Sequence, residues 1–363
     1  MHKLPIEDKL TDQQFVEGLL QWNKESNKRQ MPWKGERDAY KIWLSEIILQ
    51  QTRVEQGLRY YENFVKTFPT IHHLARASEQ KVLKLLEGLG YYSRCRNLIY
   101  TAKYISYQLN GDFPATYDTI KALKGVGSYT AAAIASFAYN LPYAVLDGNV
   151  FRVLSRIYNI PVAIDTAEGK SLFFSLAQKH LPAHSSAVYN QAIMDFGATI
   201  CKPAPECAAC FFSRRCKSFL KDTKRDLPVK SKTVVVRERW LNYIILKCNK
   251  QIAIHQRCGT DIWKQLHEFC LVETKSQVRE EYILQQLQNK FQFQAKHYKV
   301  ARSLPNLSQR LSHQFIHFSF LVVELKRATL INDFFWVPRS ELLKYPFPRT
   351  LQQMAKRLRW QKI

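Results

Sequence analysis

The amino-acid sequence predicts two domains, an all-α domain followed by a smaller α+β domain. The chain has 363 residues, enough for two ordinary hydrophobic cores. From about Asp12 to Phe219, apolar residues recur three and four positions apart, and no convincing strand pattern interrupts them. Beyond that point the sequence changes to β-branched runs that are typical of strands. We therefore place the first domain at residues 1–220, a linker at 221–233 and the second domain at 234–363.

Charge and hydropathy support these boundaries. Residues 221–232 are rich in charge and poor in apolar side chains, which indicates an interdomain linker. Strands are predicted at residues 233–236, 241–246 and 316–325, and a helix is predicted at about residues 277–291.

The composition favours a polyanionic partner. The chain has 54 Lys and Arg against 30 Asp and Glu, which gives a formal net charge of +24. Such a charge attracts nucleic acid, although a merely basic surface has the same composition. Hydrophobic residues make up 46% of the chain, which excludes a largely disordered protein. The sequence shows neither a membrane-spanning apolar run nor a signal-peptide core, so we expect a bacterial cytoplasmic protein, or a nuclear one in a eukaryote.

Half of the eight cysteines crowd into one short segment. Cys201, Cys207, Cys210 and Cys216 are separated by five, two and five residues. In a reducing compartment, so close a group is expected to hold a metal rather than to form disulfides. Four thiolates at this spacing suit either one iron–sulfur cluster or one zinc ion.

The first candidate catalytic residue is Glu46. It lies in a predicted helix at residues 40–52, and apolar side chains surround most of that helix, so the helix should be buried. Desolvation raises the pKa of a carboxyl group in such a place and suits it to donate a proton near neutral pH. A Glu that reaches the surface, or one neutralised by an Arg, fits the same pattern.

A glycine-rich turn is the second candidate site. Gly125, Val126 and Gly127 precede a helix that is rich in Ala. The two glycines permit a tight turn, and the N–H groups at such a helix-hairpin-helix turn can bind DNA phosphates without reading sequence. An ordinary turn between two helices is the alternative.

A second carboxylate follows the turn along the chain. Asp147 is followed by Gly148 and Asn149, a pattern that usually marks a turn or a helix N-cap. The functional alternative places Asp147 opposite Glu46. Glycoside cleavage needs one carboxyl group to protonate the leaving group and another to stabilise the cationic sugar.

Taken in order, these motifs resemble the MutY-type adenine DNA glycosylases of the helix-hairpin-helix superfamily. The resemblance is close from Arg29 to about Cys216 and looser beyond. The matching segments are residues 29–33 (RQMPW), 43–52 (WLSEIILQQT), 88–94 (GLGYYSR), 125–130 (GVGSYT) and 146–153 (LDGNVFRV).

The resemblance implies a DNA-repair enzyme that flips adenine out of duplex DNA where it faces 8-oxoguanine or guanine. Glu46 is then the general acid that protonates the adenine ring, and Asp147 stabilises the cationic sugar with help from Tyr129 and Asn149. Further residues are implied at the base pocket or in the gap left in the duplex: Arg29, Trp33, Leu49, Gln51 and, as a wedge in the base stack, Tyr91.

The residue at position 129 bears on the reaction type. In bifunctional relatives of the endonuclease III type, a Lys at this position forms a Schiff base and cuts the strand. Tyr129 cannot do so, and the resemblance therefore implies a monofunctional glycosylase that leaves an abasic site. The expected partner is double-stranded DNA that contains the mispair. The protein is expected to be a monomer, and no membrane partner is expected.

The cysteine loop of this family holds a 4Fe–4S cluster. The resemblance assigns the cluster to Cys201, Cys207, Cys210 and Cys216. One departure is that the first gap usually has six residues, whereas this chain has five.

The C-terminal domain resembles the Nudix-like module that reads the oxidised guanine in this family. Residues 260–269 match a G-x-W-x-F-P region, with Cys270 in place of the usual Pro. The lesion-reading F-S-H loop matches Leu311, Ser312 and His313, with Leu in place of Phe. Ser312 and His313 can supply hydrogen bonds to a purine edge.

Alternatives remain for this domain and for the whole chain. Residues 315–317 offer a second register for the lesion-reading loop, and a plain turn before a strand is a third explanation. A working Nudix hydrolase is not expected, because only residues 279–281 hint at its acidic metal-binding box. A glycosylase for another base, and an inactive damage sensor, are disfavoured by the second domain and by the two carboxylates respectively.

Overall fold

The computed structural model describes residues 10–52, 54–90, 92–231, 235–291, 293–329 and 331–360. The chain divides into two compact units. The first consists of Met1–Arg76 together with Tyr100–Thr233, and the second of Ala77–Ile99 together with Val234–Ile363. Residues 77–99 thus pack with the C-terminal residues, although the sequence places them inside the first domain.

Helices form all of the regular structure described before the linker, as predicted. They are α1 (Asp12–Glu25), α2 (Ala39–Ile48), α3 (Val54–Thr67), α4 (Ile71–Ala75), α5 (Glu79–Leu85), α6 (Ser93–Gln108), α7 (Tyr117–Lys121), α8 (Ser128–Tyr139), α9 (Gly148–Tyr158), α10 (Ala167–His180), α11 (Ser186–Thr199) and α12 (Lys217–Leu220). Two short 3₁₀ helices, Cys207–Ala209 and Ser213–Arg215, lie in the cysteine loop.

Helix α2 is buried, as predicted, but it ends earlier than predicted. Its carboxylate N-cap, Asp38, accepts a hydrogen bond from the Tyr40 N–H at 2.9 Å. The helix ends at Ile48 instead of continuing to residue 52. The chain turns there because Leu49 packs directly on α3: a Cβ added to Gly57 would lie 2.6 Å from the Leu49 Cδ2 atom.

The predicted linker is not a free tether, because residues up to 231 bind back to the first unit. The Arg156 side chain donates to the Leu227 carbonyl at 3.1 Å, and the Ile164 N–H donates to the Val229 carbonyl at 3.0 Å. The N–H of Ser231, the last described residue of this segment, donates to an Asp165 carboxylate oxygen at 2.8 Å.

The second unit is built on a mixed sheet, which confirms the predicted α+β class. Its strands are β1 (Arg237–Cys248), β2 (Gln251–Gln256), β3 (His267–Glu268), β4 (Cys270–Thr274), β5 (Tyr298–Arg310), β6 (Gln314–Leu325) and β7 (Phe335–Pro338). Its helices beyond the linker are α13 (Glu280–Phe291) and α14 (Arg349–Trp360). The main order is β3-β2-β1-β6-β5; β1 and β6 are parallel, β4 pairs with β1, and β7 pairs with β2.

Both faces of this sheet are covered. Alternate residues of β1 point to opposite faces: Tyr243 belongs to the core that includes Leu351 of α14, and Ile244 to the core that includes Leu287 of α13.

The strand predicted at residues 233–236 was wrong where it can be judged, because β1 begins only at Arg237; residues 233 and 234 lie outside the described residues. No helix in the described part of the chain has the length and hydropathy that a membrane crossing requires.

Candidate active site

A cavity of about 470 Å³ lies in the first unit where α2, α8, α9 and α11 meet. Eight residues that the sequence analysis assigned to catalysis or to the base pocket line this cavity: Arg29, Trp33, Glu46, Leu49, Gln51, Tyr129, Asp147 and Asn149. The ninth, Tyr91, lies outside the described residues. Residues that are far apart in the chain thus converge on one space large enough for a purine base.

Glu46 is the buried acid of this cavity, only 8% exposed. Burial raises the pKa of its carboxyl group from 4.5 to about 7, and the neighbouring Asp147 also raises it. A hydrogen bond with Tyr129 acts in the opposite direction and lowers the Glu46 pKa. A carboxyl group with a pKa near 7 is substantially protonated at neutral pH and can donate that proton.

Tyr129 follows the N-terminal residue of α8 and contacts both carboxylates electrostatically. Burial, with the charges of Glu46 and Asp147, holds the pKa of the Tyr129 hydroxyl well above 10. The hydroxyl group therefore remains a neutral hydrogen-bond donor at physiological pH.

Asp147 is both the N-cap of α9 and a lining residue of the cavity. One carboxylate oxygen accepts hydrogen bonds from the N–H groups of Asn149 at 2.9 Å and Val150 at 2.8 Å. The other accepts from the Asn149 side-chain amide at 2.6 Å. Burial raises the pKa of Asp147, and these hydrogen bonds oppose the rise. The start of α9 thus fixes the orientation of the second carboxylate.

A chain of hydrogen bonds runs from Asp147 to the cysteine loop. The Asn149 side-chain oxygen accepts from Arg152 at 2.7 Å. The same guanidinium donates to the Gly197 carbonyl at 2.7 Å and to the Cys201 carbonyl at 2.7 Å. The position of Asn149 therefore depends on the backbone of the loop that carries the cysteines. Arg152 lies inside the matched segment 146–153, but no role for it was predicted from the sequence.

Asp195, another residue for which no role was predicted from the sequence, binds two residues that line the cavity, Arg29 and Gln191. Asp195 is fully buried and accepts hydrogen bonds from Arg29 at 2.8 Å and Lys34 at 3.0 Å. It also accepts from Gln191 at 3.0 Å, and Gln191 itself lines the cavity. The available sequence signal was an Asp among the apolar residues of α11. That signal does not indicate which cations the Asp binds.

The loop after α2 completes the wall of the cavity. Gln51 has a φ of 55°, in the left-handed region that residues other than Gly seldom adopt. Such strain is typical of functional sites, where the surrounding structure holds it in place. Trp33 packs edge-on against Tyr61, with 5.2 Å between ring centroids.

The glycine-rich turn lies between α7 and α8, as the helix-hairpin-helix interpretation requires. Gly125 has a φ of 82°, which favours glycine, and Gly127 is the N-cap of α8. A Cβ added to Gly127 would meet open space, so the start of α8 is accessible to a phosphate. The Thr101 hydroxyl donates to the Lys124 carbonyl at 2.9 Å and secures the turn.

The four clustered cysteines line one small cavity at the end of the first unit. Burial, together with the other three thiols, raises the pKa of Cys210 to about 12, so the four sulfur atoms lie within electrostatic range of one another. Arg156 donates to the Cys201 Sγ at 3.6 Å and to the Lys202 carbonyl at 2.6 Å. Four sulfur donors around one cavity are the donor set of an iron–sulfur cluster or a zinc ion. No three His, Cys, Asp or Glu side chains in the described residues are arranged for a single metal ion.

The predicted lesion-reading residues lie at the tip of a hairpin in the second unit. Leu311, Ser312 and His313 connect β5 to β6, and Ser312 and His313 are exposed. The Leu311 N–H donates to the Gln314 carbonyl at 2.7 Å and closes the turn. The competing register lies inside β6 instead. There Ile316 is fully buried and His317 stacks on Trp240, with 4.7 Å between ring centroids.

Both parts of the chain are similar to known protein families. The model of the HhH-GPD superfamily of base excision DNA repair proteins matches residues 44–173, and a NUDIX domain model matches residues 242–357. The adenine DNA glycosylase of Buchnera aphidicola subsp. Schizaphis graminum is 31% identical over 312 residues, which cover 86% of each chain. That of subsp. Baizongia pistaciae is 32% identical over 321 residues, which cover 88% of each chain.

A solved structure is similar in the helical part. The structure of a thermostable thymine-DNA glycosylase is 26% identical, with a TM-score of 0.54, and the match covers 58% of this chain and 97% of that chain.

Proposed function

This chain belongs to the adenine DNA glycosylase family, and from that membership we propose that it removes adenine facing 8-oxoguanine or guanine and leaves an abasic site. It is a base-excision DNA glycosylase that acts on adenine. The choice of mispair, the roles of individual residues and the cluster are our proposals. The observation that carries them is the convergence of Glu46, Tyr129 and Asp147 on one buried cavity.

Glu46 acts as the general acid. The N-glycosidic bond breaks more easily when the adenine ring is protonated, because the base then departs without a negative charge. Supplying that proton requires a carboxyl group that is protonated near neutral pH, and burial gives Glu46 a pKa of about 7. After the base has left, the Glu46 carboxylate can accept a proton from the water that attacks the sugar.

Asp147 stabilises the cationic sugar that forms as the bond breaks. Its carboxylate is oriented by two backbone N–H groups and by the Asn149 amide. Because these donors are fixed before the substrate arrives, the charge that opposes the oxocarbenium ion needs no reorganisation. The Tyr129 hydroxyl donates a hydrogen bond to Glu46 and so helps the two carboxyl groups, Glu46 and Asp147, to keep different roles. With Tyr instead of Lys at position 129, the reaction ends at an abasic site.

The base has to leave the duplex before this chemistry can occur. We assign the flipped adenine to the cavity lined by Arg29, Trp33, Leu49 and Gln51. Tyr91 would enter the base stack in its place. The N–H groups at Gly125, Val126 and Gly127 would bind a phosphate of the DNA backbone, and the formal net charge of +24 would strengthen duplex binding in a salt-dependent way.

The second unit supplies lesion recognition. Leu311, Ser312 and His313 form an accessible loop, whereas the residues of the second register are held in β6. Ser312 and His313 would bind the edge of the base opposite adenine. The protein would act as a monomer on its duplex.

Cys201, Cys207, Cys210 and Cys216 would hold a 4Fe–4S cluster. The cluster would cross-link the loop and keep its backbone in place, including the Cys201 carbonyl that accepts from Arg152. A cluster takes one thiolate at each iron, so it requires four thiols around one cavity, and these four line one cavity.

Single-turnover cleavage of labelled duplexes tests the proposal. The duplexes carry adenine opposite 8-oxoguanine, adenine opposite guanine, or thymine opposite guanine, and aliquots are analysed with and without hot alkali. We expect strand breaks only after alkali, fastest for the 8-oxoguanine duplex and absent for the thymine duplex. Equal rates for both adenine duplexes would contradict lesion reading, and breaks without alkali would contradict the monofunctional assignment.

A further inference from the structure

Glu87 is a buried carboxylate immediately before the loop that carries the predicted wedge residue. It follows α5 and precedes Gly88, and it is only 8% exposed. No role for Glu87 was predicted from the sequence, in which a Glu after a short helix resembles any solvated charged residue. A desolvated carboxylate is costly unless several hydrogen-bond donors compensate it.

The partners of Glu87 come largely from the far end of the chain. One carboxylate oxygen accepts from the backbone N–H of Phe347 at 2.8 Å. The other accepts from the side-chain amide of Gln352 in α14 and from Lys84 at 2.7 Å. Phe347 is fully buried in the core beneath the sheet of the second unit. Glu87 therefore ties the residues before Gly88 to the backbone of a core residue.

Two further contacts attach the flanking helices to the same unit. Lys84 of α5 also donates to the Tyr345 carbonyl at 3.1 Å. Arg96 of α6 lies 3.5 Å from the Lys264 carbonyl and 3.5 Å from the Gln265 side-chain oxygen. The loop is thus attached on both sides to the residues that form the second unit.

The loop itself is braced against bending. Gly88 and Gly90 have φ values of 93° and 77°, and the Gly88 N–H donates to the Tyr92 hydroxyl at 3.0 Å. Arg94, which is 8% exposed, donates to the Gly90 carbonyl at 3.1 Å. Because these described residues hold one another in place, we expect a displacement at Glu87 to move them together.

We propose that Glu87 is a positioning residue that ties the loop after it, described at residues 88–90 and 92, to the unit that reads the base opposite adenine. The loop that enters the base stack then takes its position from the lesion-reading unit. Adenine is flipped efficiently only when that unit has bound the base opposite adenine. This inference rests on the proposed function, because it assumes that the second unit reads the lesion and that the loop enters the duplex.

The test compares Glu87→Gln with a matched control, Glu79→Gln. Both substitutions remove one negative charge close to α5, but Glu79 lies in the first turn of the helix and is partly exposed. Gln keeps the shape of Glu and replaces one acceptor oxygen with an N–H₂ group that faces other donors. Gln352→Leu removes a donor from the other side of the contact and completes a double-mutant cycle.

Three quantities are measured on the full chain. They are the single-turnover rates of adenine release opposite 8-oxoguanine and opposite guanine, the fluorescence rise of 2-aminopurine as it leaves the stack, and hydrogen–deuterium exchange of the backbone at residues 88–96. Thermal melting of each variant checks that the protein is folded.

We expect Glu87→Gln to lower the ratio of the two release rates about five-fold. The 2-aminopurine signal should fall, exchange at residues 88–96 should rise, and Glu79→Gln should change none of these. The double variant with Gln352→Leu should be little worse than Glu87→Gln alone, because both act on one contact. A merely stabilising role would lower the melting temperature and slow both duplexes equally, and that outcome would overturn the proposal.

The failure of the proposed function gives a different pattern. If the unmodified protein releases adenine from both duplexes at one rate, lesion reading is wrong. The positioning role of Glu87 is then tested by amide exchange and by the fluorescence of 2-aminopurine opposite guanine. Unchanged exchange and unchanged fluorescence in Glu87→Gln would overturn it.

Discussion

Gly197 and Asn149 are in such close contact that a methyl group cannot fit between them. A Cβ added to Gly197 would lie 2.7 Å from the Asn149 Cβ and 3.0 Å from its carbonyl oxygen. Gly197 also supplies the carbonyl that accepts from Arg152. The contact between α11 and the start of α9 therefore determines where Asn149, and through it Asp147, is placed.

Gly197→Ala is expected to displace Asn149 and lower the single-turnover rate of adenine release about ten- to hundred-fold, because small misplacements of catalytic groups are costly. The matched control is Gly148→Ala, where the added methyl group would meet open space. The rates are measured with enzyme in excess over duplex. Equal rates for the two variants would show that Asn149 does not need its observed position.

Glu46→Gln is expected to abolish adenine release and to stabilise the folded protein at high pH. Burial raises the Glu46 pKa from 4.5 to about 7, so the native state binds this proton more tightly than the unfolded chain does. The free energy of unfolding therefore falls by about 3 kcal/mol as the pH rises through this interval, and the loss is complete above it.

The check on Glu46 is thermal melting across the pH range. Glu46→Gln should melt above the unmodified protein at about pH 8 and at nearly the same temperature at about pH 4.5. A variant that releases adenine at the unmodified rate would remove Glu46 from the mechanism. A melting difference that is independent of pH would contradict its raised pKa.

Tyr129→Phe is expected to move the pH dependence of adenine release to higher pH. The rate should fall above a pH of about 7, where Glu46 loses its proton. The hydrogen bond from Tyr129 lowers the Glu46 pKa, so its removal should raise the pH at which the rate is halved. Single-turnover profiles of both proteins provide the measurement. A downward shift would mean that Tyr129 does not act on Glu46 in this way.

Arg152→Lys is expected to lower the rate of adenine release about ten-fold while duplex binding is nearly unchanged, because Lys keeps the charge but loses the forked guanidinium. One ammonium group cannot maintain the contacts to Asn149, Gly197 and Cys201 together.

Arg156→Lys is the comparison for this experiment. Arg156 donates to the cysteine loop and to Leu227, but no hydrogen bond joins it to Asn149 in the described residues. Its substitution should therefore destabilise the loop, measured as a lower melting temperature, with a smaller effect on the rate. If both variants lose the same rate, the path through Asn149 has no separate importance.

Ser312→Ala combined with His313→Ala should reduce the preference for 8-oxoguanine over guanine opposite adenine. Two lost hydrogen bonds to a base edge correspond to roughly ten-fold or more in discrimination. The measurement is the ratio of single-turnover rates on the two duplexes. His317→Ala serves as the control from the second register. If His317→Ala lowers the ratio and the double variant does not, the recognition loop has been assigned to the wrong register.

Local patterns in the sequence were sufficient to predict much of the fold and of the site. The change from helical periodicity to β-branched runs predicted the two classes of structure, and the apolar surroundings of Glu46 predicted its burial. Asp147 followed by Gly predicted a helix N-cap, and the structure shows one. These features depend on neighbours within a few positions, so a single sequence contains the information for them.

What the sequence analysis missed depends on long-range contacts. Asp195 holds Arg29 across 166 positions, and Glu87 meets Phe347 across 260. Neither pairing leaves a periodic signal, because the carboxylate resembles any other charged residue until its distant donors are known. The early end of α2 has a similar origin, since the packing of Leu49 on Gly57 depends on how α3 folds back.

The attachment of residues 77–99 to the C-terminal unit also governs the order in which the chain can fold during synthesis. These residues leave the ribosome long before Phe347 and Gln352, the residues that complete the surroundings of Glu87. About 250 residues separate the two, a delay of roughly 10 to 50 seconds at ordinary rates of translation. During that interval Glu87 lacks two of its hydrogen-bond donors, the Phe347 N–H and the Gln352 side-chain amide. A nascent or truncated chain that stops after the cysteine loop is therefore a candidate substrate for chaperones and proteases.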